Sequence, residues 1–311
     1  VARDGRRAPI SPSLGGLSHR AHNGAVGPID LVTPLDYFRS LVADNATLPL
    51  AEAAASIGQD VDPQLDVLGV LHRLDELALR FKTSLRRAAG PQIGSETRLR
   101  YFNEYFFREL GFGGNRNDYY HPDNSYLHRV LHTRRGIPIS LAVIYVELAQ
   151  QVGLRAYGVS FPGHFLVKIK LADVDVVLDP FTGSSLSREV LEEWLQERAA
   201  LTGGEFADAP LSAYLRPASG RDIVTRMLRN LKAIYRNHKD WARLLPVHER
   251  LIVIQPDDAA ERRDRGITHE MLGHYKAALK DLEWYVAADP KGNDVRLVQA
   301  KISALRSLLS R

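Results

Sequence analysis

Arg134 to Gly183 reads RRGIPISLAVIYVELAQQVGLRAYGVSFPGHFLVKIKLADVDVVLDPFTG, and this stretch decides the fold. Pro138 suits the first turn of a helix, where its missing N–H costs nothing. Leu141, Ile144, Tyr145, Leu148 and Val152 then recur at a 3.6-residue period. That period predicts a helix with one strongly buried face, and Gly153 stops it. Residues 155–160 predict a strand and Pro162-Gly163 a turn. Phe165, Val167 and Ile169 alternate with Leu166, Lys168 and Lys170, so His164 opens a strand with one core face. Val174, Val176 and Leu178 alternate with Asp175 and Val177, which puts Asp179 at a strand end. A helix followed by antiparallel strands is α+β, not a doubly wound parallel sheet.

Upstream, the pattern is helical from about residue 34 to 111. Leu35, Phe38 and Leu41 are spaced by three, and residues 50–57 are Ala-rich. Pro63 is expected to open a long helix with Leu65, Leu68, Leu71, Leu74, Leu77 and Leu79 as its apolar stripe. Leu99, Phe102, Tyr105, Phe106 and Leu110 mark another helix, closed by Gly111. The loop NRNDYYHPDN, residues 115–124, is polar and turn-prone. Its Asn115, Asp118, Tyr119 and Tyr120 are expected to form the rim of a cleft over the central stretch. His121 with Asp118 and Asp123 matches no standard ligand spacing, so neither a metal nor another cofactor is expected.

Downstream, residues 187–197 predict a helix and 202–220 a looser linker. From about residue 221 the chain is all helical and repeats itself. Pro256 and Pro290 are 290 − 256 = 34 residues apart, and IVIQPDD before the first parallels YVAADPK before the second. Gly266, Ala278 and Pro290 fall at the small-residue and proline positions of a tetratricopeptide repeat, with GHYKAAL, residues 273–279, as its inter-helix turn. The first copy is less regular, with Lys232 at the usual glycine position. About two repeats followed by a capping helix are expected over 221–311.

The chain has 311 residues, a formal net charge of +4 and no cysteine. The missing cysteine excludes disulfides, thiolate metal sites and a thiol nucleophile. No apolar run has the ~18 residues of a membrane span, and the first residues lack a signal-type hydrophobic core. A cytoplasmic protein without membrane contact is expected. Residues 1–30, rich in Gly, Pro, Ser and Arg, read as a disordered basic tail. Aromatic and basic residues are not interleaved as base stacking requires, so nucleic acid is not indicated as a partner.

LGFGGNRNDYYHPDNSYLHRVL, TRRGIPISLAVIYVELAQQVGL, GVSFPGHFLVKI and LDPFTG together resemble bacterial SirB-type proteins, over roughly residues 34–300. The resemblance implies a helical N-terminal part and a transglutaminase-like, cysteine-protease-like core over 31–205. All-α tetratricopeptide repeats then follow. Active transglutaminase-like enzymes carry Gly, any residue, Cys at the start of the core helix, then a His base and an Asp that orients it. By that resemblance Gly136 matches the Gly and Pro138 falls at the Cys. His164 matches the base and Asp179 its partner. Counting back from Gly153 gives the same register.

Two functions follow as expectations. In the first, the core is a pseudoenzyme: it binds a protein or peptide in a degenerate cleft, and the repeats present a second surface. His164 and Asp179 then remain as a buried polar pair. In the second, Ser140, His164 and Asp179 form a hydrolase or acyltransferase triad. Ser140 lies two residues beyond Pro138, a rotation of about 200° on a helix. A serine in a first turn also commonly bonds the backbone, which favours the first function.

Overall fold

The computed structural model describes residues 32–89, 93–203, 206 and 209–310. The basic tail expected at 1–30 lies outside the described residues.

Helices α1 (Pro34–Leu41), α2 (Leu50–Ser56) and α3 (Val67–Ala89) open the fold. α3 begins at Val67, four residues after Pro63, and buries Val70, Leu74, Leu77, Ala78 and Phe81. Leu68 and Leu79, expected on the stripe, are exposed. They fall off the line that Val70, Leu74, Leu77 and Phe81 trace at three- and four-residue steps. α4 (Ser95–Asn103) continues into a π-helical turn, Glu104–Glu109, where the Leu110 N–H donates to the Tyr105 carbonyl at 2.8 Å. This i→i+5 turn shifts the ring positions. Phe106 and Phe107 then both pack on Tyr145, at centroid distances of 5.0 and 5.9 Å.

The two-residue strands β1 (Gly113–Gly114) and β2 (Arg135–Gly136) pair in parallel on either side of α5 (Leu127–Thr133). α6 (Pro138–Gln151) is the central helix. It is buried continuously from Ile139 to Val146, and again at Leu148 and Ala149, rather than on one face. α3 packs against it on one side, and the main sheet covers another. A helix enclosed in this way is apolar all round.

The main sheet has the order β3 (Arg155–Phe161), β4 (His164–Lys170), β5 (Asp175–Asp179), β6 (Ser184–Leu186), antiparallel throughout. Phe165, Val167 and Ile169 of β4 face the main core with α6. Leu166 points the other way, into a second cluster with Val159, Phe161, Leu191 and Leu195. That cluster lies under α7 (Arg188–Leu201), whose N-cap is Ser187. β4 is therefore covered on both faces, where its lysines suggested one.

After the short α8 (Leu211–Tyr214) come five helices: α9 (Gly220–Asn237), α10 (Trp241–Ile254), α11 (Ala259–Met271), α12 (Tyr275–Ala288) and α13 (Val295–Leu309). Gly266 and Ala278 are buried between α11 and α12. α9 and α10 bury Met227, Leu228, Leu231, Val247 and Leu251 in the same core as α6, while α12 and α13 form a smaller core of their own. Arg250 of α10 fixes the first pair to the N-terminal helices. Its guanidinium, 1% exposed, donates to both Asp60 carboxylate oxygens and to the Ser56 carbonyl at 2.7–3.0 Å. Lys232, where a glycine was expected, reaches Glu261 at 2.6 Å and Asp264 at 2.8 Å on α11. Glu261 also bonds His248 of α10, so the irregular position is one corner of a polar network joining the two helix pairs. Among the described residues no helix is long and apolar enough to cross a membrane.

Candidate functional site

The sequence of the central stretch brings three chain ends to one edge of the sheet. Pro138 occupies the first position of α6 behind Ile137, which is extended at φ −92°, ψ 164°. Gly136 precedes it in a position no side chain fits, since a Cβ there would meet Ser140 Oγ at 2.7 Å. β3 and β4 are joined by Pro162-Gly163, with Gly163 at φ 79°. A proline followed by a positive-φ residue is the combination a type II turn needs. Phe161 pairs with His164, so the turn delivers His164 at the first residue of β4. Val167 pairs with Leu178, and the same antiparallel register puts Asp179 beside the start of β4.

These ends surround a pocket of about 490 Å³. Pro138 and Ile139 of α6 form its floor, with His164, Phe165 and Asp179 from the sheet. Tyr119 and Phe181 come from loops, Trp194 from α7, and Arg226 and Asn230 from α9. α9, the helix after the sheet and α8, is thus part of the cleft wall. Trp194, Arg226 and Asn230 carried no signal in the sequence. They are remote from the central stretch, and only the packing of α7 and α9 on the sheet brings them there.

His164 is exposed to the pocket, and its imidazole lies flat on the Trp194 indole, centroids 4.0 Å apart and planes at 12°. Its pKa is below the ordinary histidine value. Desolvation by the pocket walls is the main cause, the Arg226 and Arg198 charges add to it, and Asp179 opposes it. Asp179 is half-buried and committed to its own turn. One carboxylate oxygen accepts from the Phe181 N–H at 2.9 Å and the other from the Thr182 hydroxyl at 2.9 Å. No hydrogen bond joins it to His164. The expected buried pair is replaced by an open histidine on an indole and a carboxylate that closes an Asx turn.

Ser140 does not line the pocket. It is fully buried, donating to the Asn124 carbonyl at 2.6 Å and lying 3.0 Å from the Ile137 carbonyl. It also accepts from the Ile137 N–H at 3.2 Å. The helical rotation between positions 138 and 140 turns it into the protein. A nucleophile needs its base within hydrogen-bond reach, and every partner of this hydroxyl is backbone.

The loop residues divide. Tyr119 lines the pocket beside Phe181, at a centroid distance of 5.8 Å. Burial raises its phenol pKa. Tyr120 is exposed and packs edge-on against Tyr119. Asn115 and Asp118 instead stabilise the loop: the Asn115 amide donates to the Asn124 side chain at 3.0 Å and its carbonyl accepts from the Asp118 N–H at 3.2 Å. His121 accepts from the Asp123 N–H at 3.2 Å and caps the short 3₁₀ turn after it.

Arg226 is half-buried, its guanidinium 5.4 Å from the centre of the Phe165 ring. Among the described residues it has neither an ion-pair nor a hydrogen-bond partner. Desolvation lowers its pKa, with the Tyr119 phenol opposing. The sequence offered no sign of this free cation.

Comparison with known proteins matches residues 69–229 to a family described as transglutaminase-like superfamily, and residues 231–303 to one described as tetratricopeptide repeat. A UPF0162 protein of Xylella fastidiosa is 38% identical over 83% of this chain and 90% of its own length. The UPF0162 protein YchA of Escherichia coli is 28% identical over 82% of this chain and 92% of its own. Protein SirB1 of Salmonella typhimurium is 27% identical over 64% of this chain and 73% of its own. No solved structure matches the chain at a significant level.

Proposed function

Because the chain belongs to the transglutaminase-like superfamily, with UPF0162 proteins and SirB1 among its relatives, we propose that it is a non-catalytic binding protein. In this reading the His164 pocket holds a segment of a protein partner, and the tetratricopeptide repeats add a second surface to the same contact. A transglutaminase-like domain with such repeats suggests protein interaction in general.

One observation carries it. Pro138 lies in the pocket floor where the resemblance puts the nucleophile, and the next hydroxyl along the helix, Ser140, is turned into the backbone. The remaining groups suit recognition: a stacked imidazole, four aromatic walls and an unpaired arginine.

Photo-crosslinking from within the pocket tests the reading. A benzoylphenylalanine replaces Trp194 in the full chain expressed in a bacterial host, and another replaces the exposed Leu68 as a control. A defined protein adduct from position 194 alone supports the proposal. Identical adducts from both positions, or none from 194, overturn it. The hydrolase reading is tested with a fluorophosphonate probe, where labelling of the wild type that is lost in Ser140→Ala would establish it.

A further inference from the structure

α9 contributes one wall of the pocket. Arg226 and Asn230 are four residues apart on α9 and share one helix face. The Arg226 guanidinium lies over the Phe165 ring at the pocket wall, and its donors meet no acceptor among the described residues. A partly desolvated guanidinium is costly to leave unpaired, and its planar fork matches a carboxylate. Two other shielded arginines are committed: the half-buried Arg221 donates to the Ile254 and Val42 carbonyls at 2.6 Å, and the fully buried Arg250 to Asp60.

We propose that Arg226, with Asn230 beside it, binds a carboxylate of an acidic peptide segment seated in the His164 pocket. This rests on the reading of the pocket as a peptide-binding cleft. The aromatic faces of Trp194, Phe181 and Tyr119 take the apolar group next to that carboxylate. At about 490 Å³ the cavity has room for a side chain or chain end with its neighbour, not for a folded element.

A singly charged group fits better than a phosphate dianion. The pocket lining holds one guanidinium, and the Asp179 carboxyl group stands in the same lining. The N-terminus of α6 points its positive end here, but Pro138 removes the first N–H a phosphate would use. An acidic side chain and a free C-terminus offer the same carboxylate, and the experiment separates them.

The immobilised full chain is offered short random peptides, N-acetylated and C-amidated, with a fixed central glutamate or a fixed central glutamine. A third set has random positions throughout and a free C-terminal carboxylate. Retained peptide is measured by mass spectrometry, with inorganic phosphate and acetate as competitors. The proposal expects the glutamate set or the free-acid set to be retained over the glutamine set by about tenfold. Whichever set dominates identifies the source of the carboxylate. Arg226→Met, which keeps an unbranched apolar side chain but no charge, abolishes the preference, and Arg226→Lys keeps part of it. The circular dichroism of both variants confirms that they fold.

Equal retention of the glutamate, glutamine and free-acid sets by both wild type and Arg226→Met overturns the carboxylate assignment and leaves the cleft reading standing. No retention of any set overturns both. Displacement by phosphate but not by acetate overturns the assignment in favour of a phosphate site.

Discussion

The His164 imidazole and the Trp194 indole are stacked at 4.0 Å with 12° between their planes, one from the first residue of β4 and the other from the middle of α7. The contact covers one face of the histidine with apolar surface and leaves its ring edge to the pocket. It lowers the histidine's pKa and joins α7 to a cleft otherwise built from α6, the sheet and α9.

Trp194→Ala therefore raises the His164 pKa toward the ordinary value of 6.5, because burial is the largest cause of the shift. Arg226→Met raises it as well, by removing a nearby positive charge. Asp179→Asn moves it further down, because Asp179 favours the imidazolium more than Glu197 does. The three directions are read from the ring proton shifts of His164 against pH by NMR.

Ser140→Ala leaves the His164 titration and peptide retention unchanged, since its hydroxyl bonds only backbone. It lowers stability by about 1–2 kcal/mol, because a buried donor to the Asn124 and Ile137 carbonyls is lost. Urea unfolding measures the second effect, and the first is followed in the same NMR titration.

Arg250→Met leaves the Asp60 carboxylate buried without its bidentate partner and costs roughly 3–5 kcal/mol. A double change with Asp60→Leu recovers much of that loss, since two apolar side chains remove both charges. The unfolding midpoints of the two single variants and the double variant show this as strong non-additivity.

Acid weakens the fold in two stages. The His164 and His128 pKa values are depressed, mainly by burial, so the unfolded chain takes up their protons first and stability falls as pH drops below 6.5. Burial alone would raise Glu261 and Asp264, but hydrogen bonds and charge from His248, Lys232 and Arg263 outweigh it and leave both lowered. Their stabilisation is present above the unfolded values of 4.5 and 3.8 and is lost as pH falls through the lower folded values. Urea midpoints between pH 8 and 3 follow this course, and Lys232→Met flattens the lower stage.

Pro138→Cys puts a single thiol into a chain that has none. Its position at the start of α6, facing the pocket, holds that thiol below its free value of about 8.5. The pH dependence of its alkylation by iodoacetamide reads this directly, and a second change, His164→Ala, slows the reaction near neutral pH.

The strands were legible because apolar residues fall at every second position of β4 and β5, and His164 and Asp179 stand at the ends of those runs. β6 was not foreseen, since Ser184, Ser185 and Leu186 offer no alternation. The π turn at Glu104–Glu109 escaped notice because Leu99, Phe102, Phe106 and Leu110 keep a helical spacing through it. Lys232 looked like a flaw in the first repeat, and its role needs Glu261 and Asp264 from the next helix pair. Trp194 and Arg226 lie 30 and 62 residues after His164 (194 − 164 and 226 − 164), so only tertiary packing brings them to the cleft. Motif residues close in sequence were readable, and the groups that give the pocket its charge and walls were not.

The central claim is a transglutaminase-like cleft that binds without reacting. Mass analysis of both chain and retained peptide after incubation tests it most directly. The account predicts that the peptide leaves with its starting mass and the chain carries no adduct. A cleaved or amide-exchanged peptide, or an acyl adduct on the chain, lost in Ser140→Ala or His164→Ala, would contradict it.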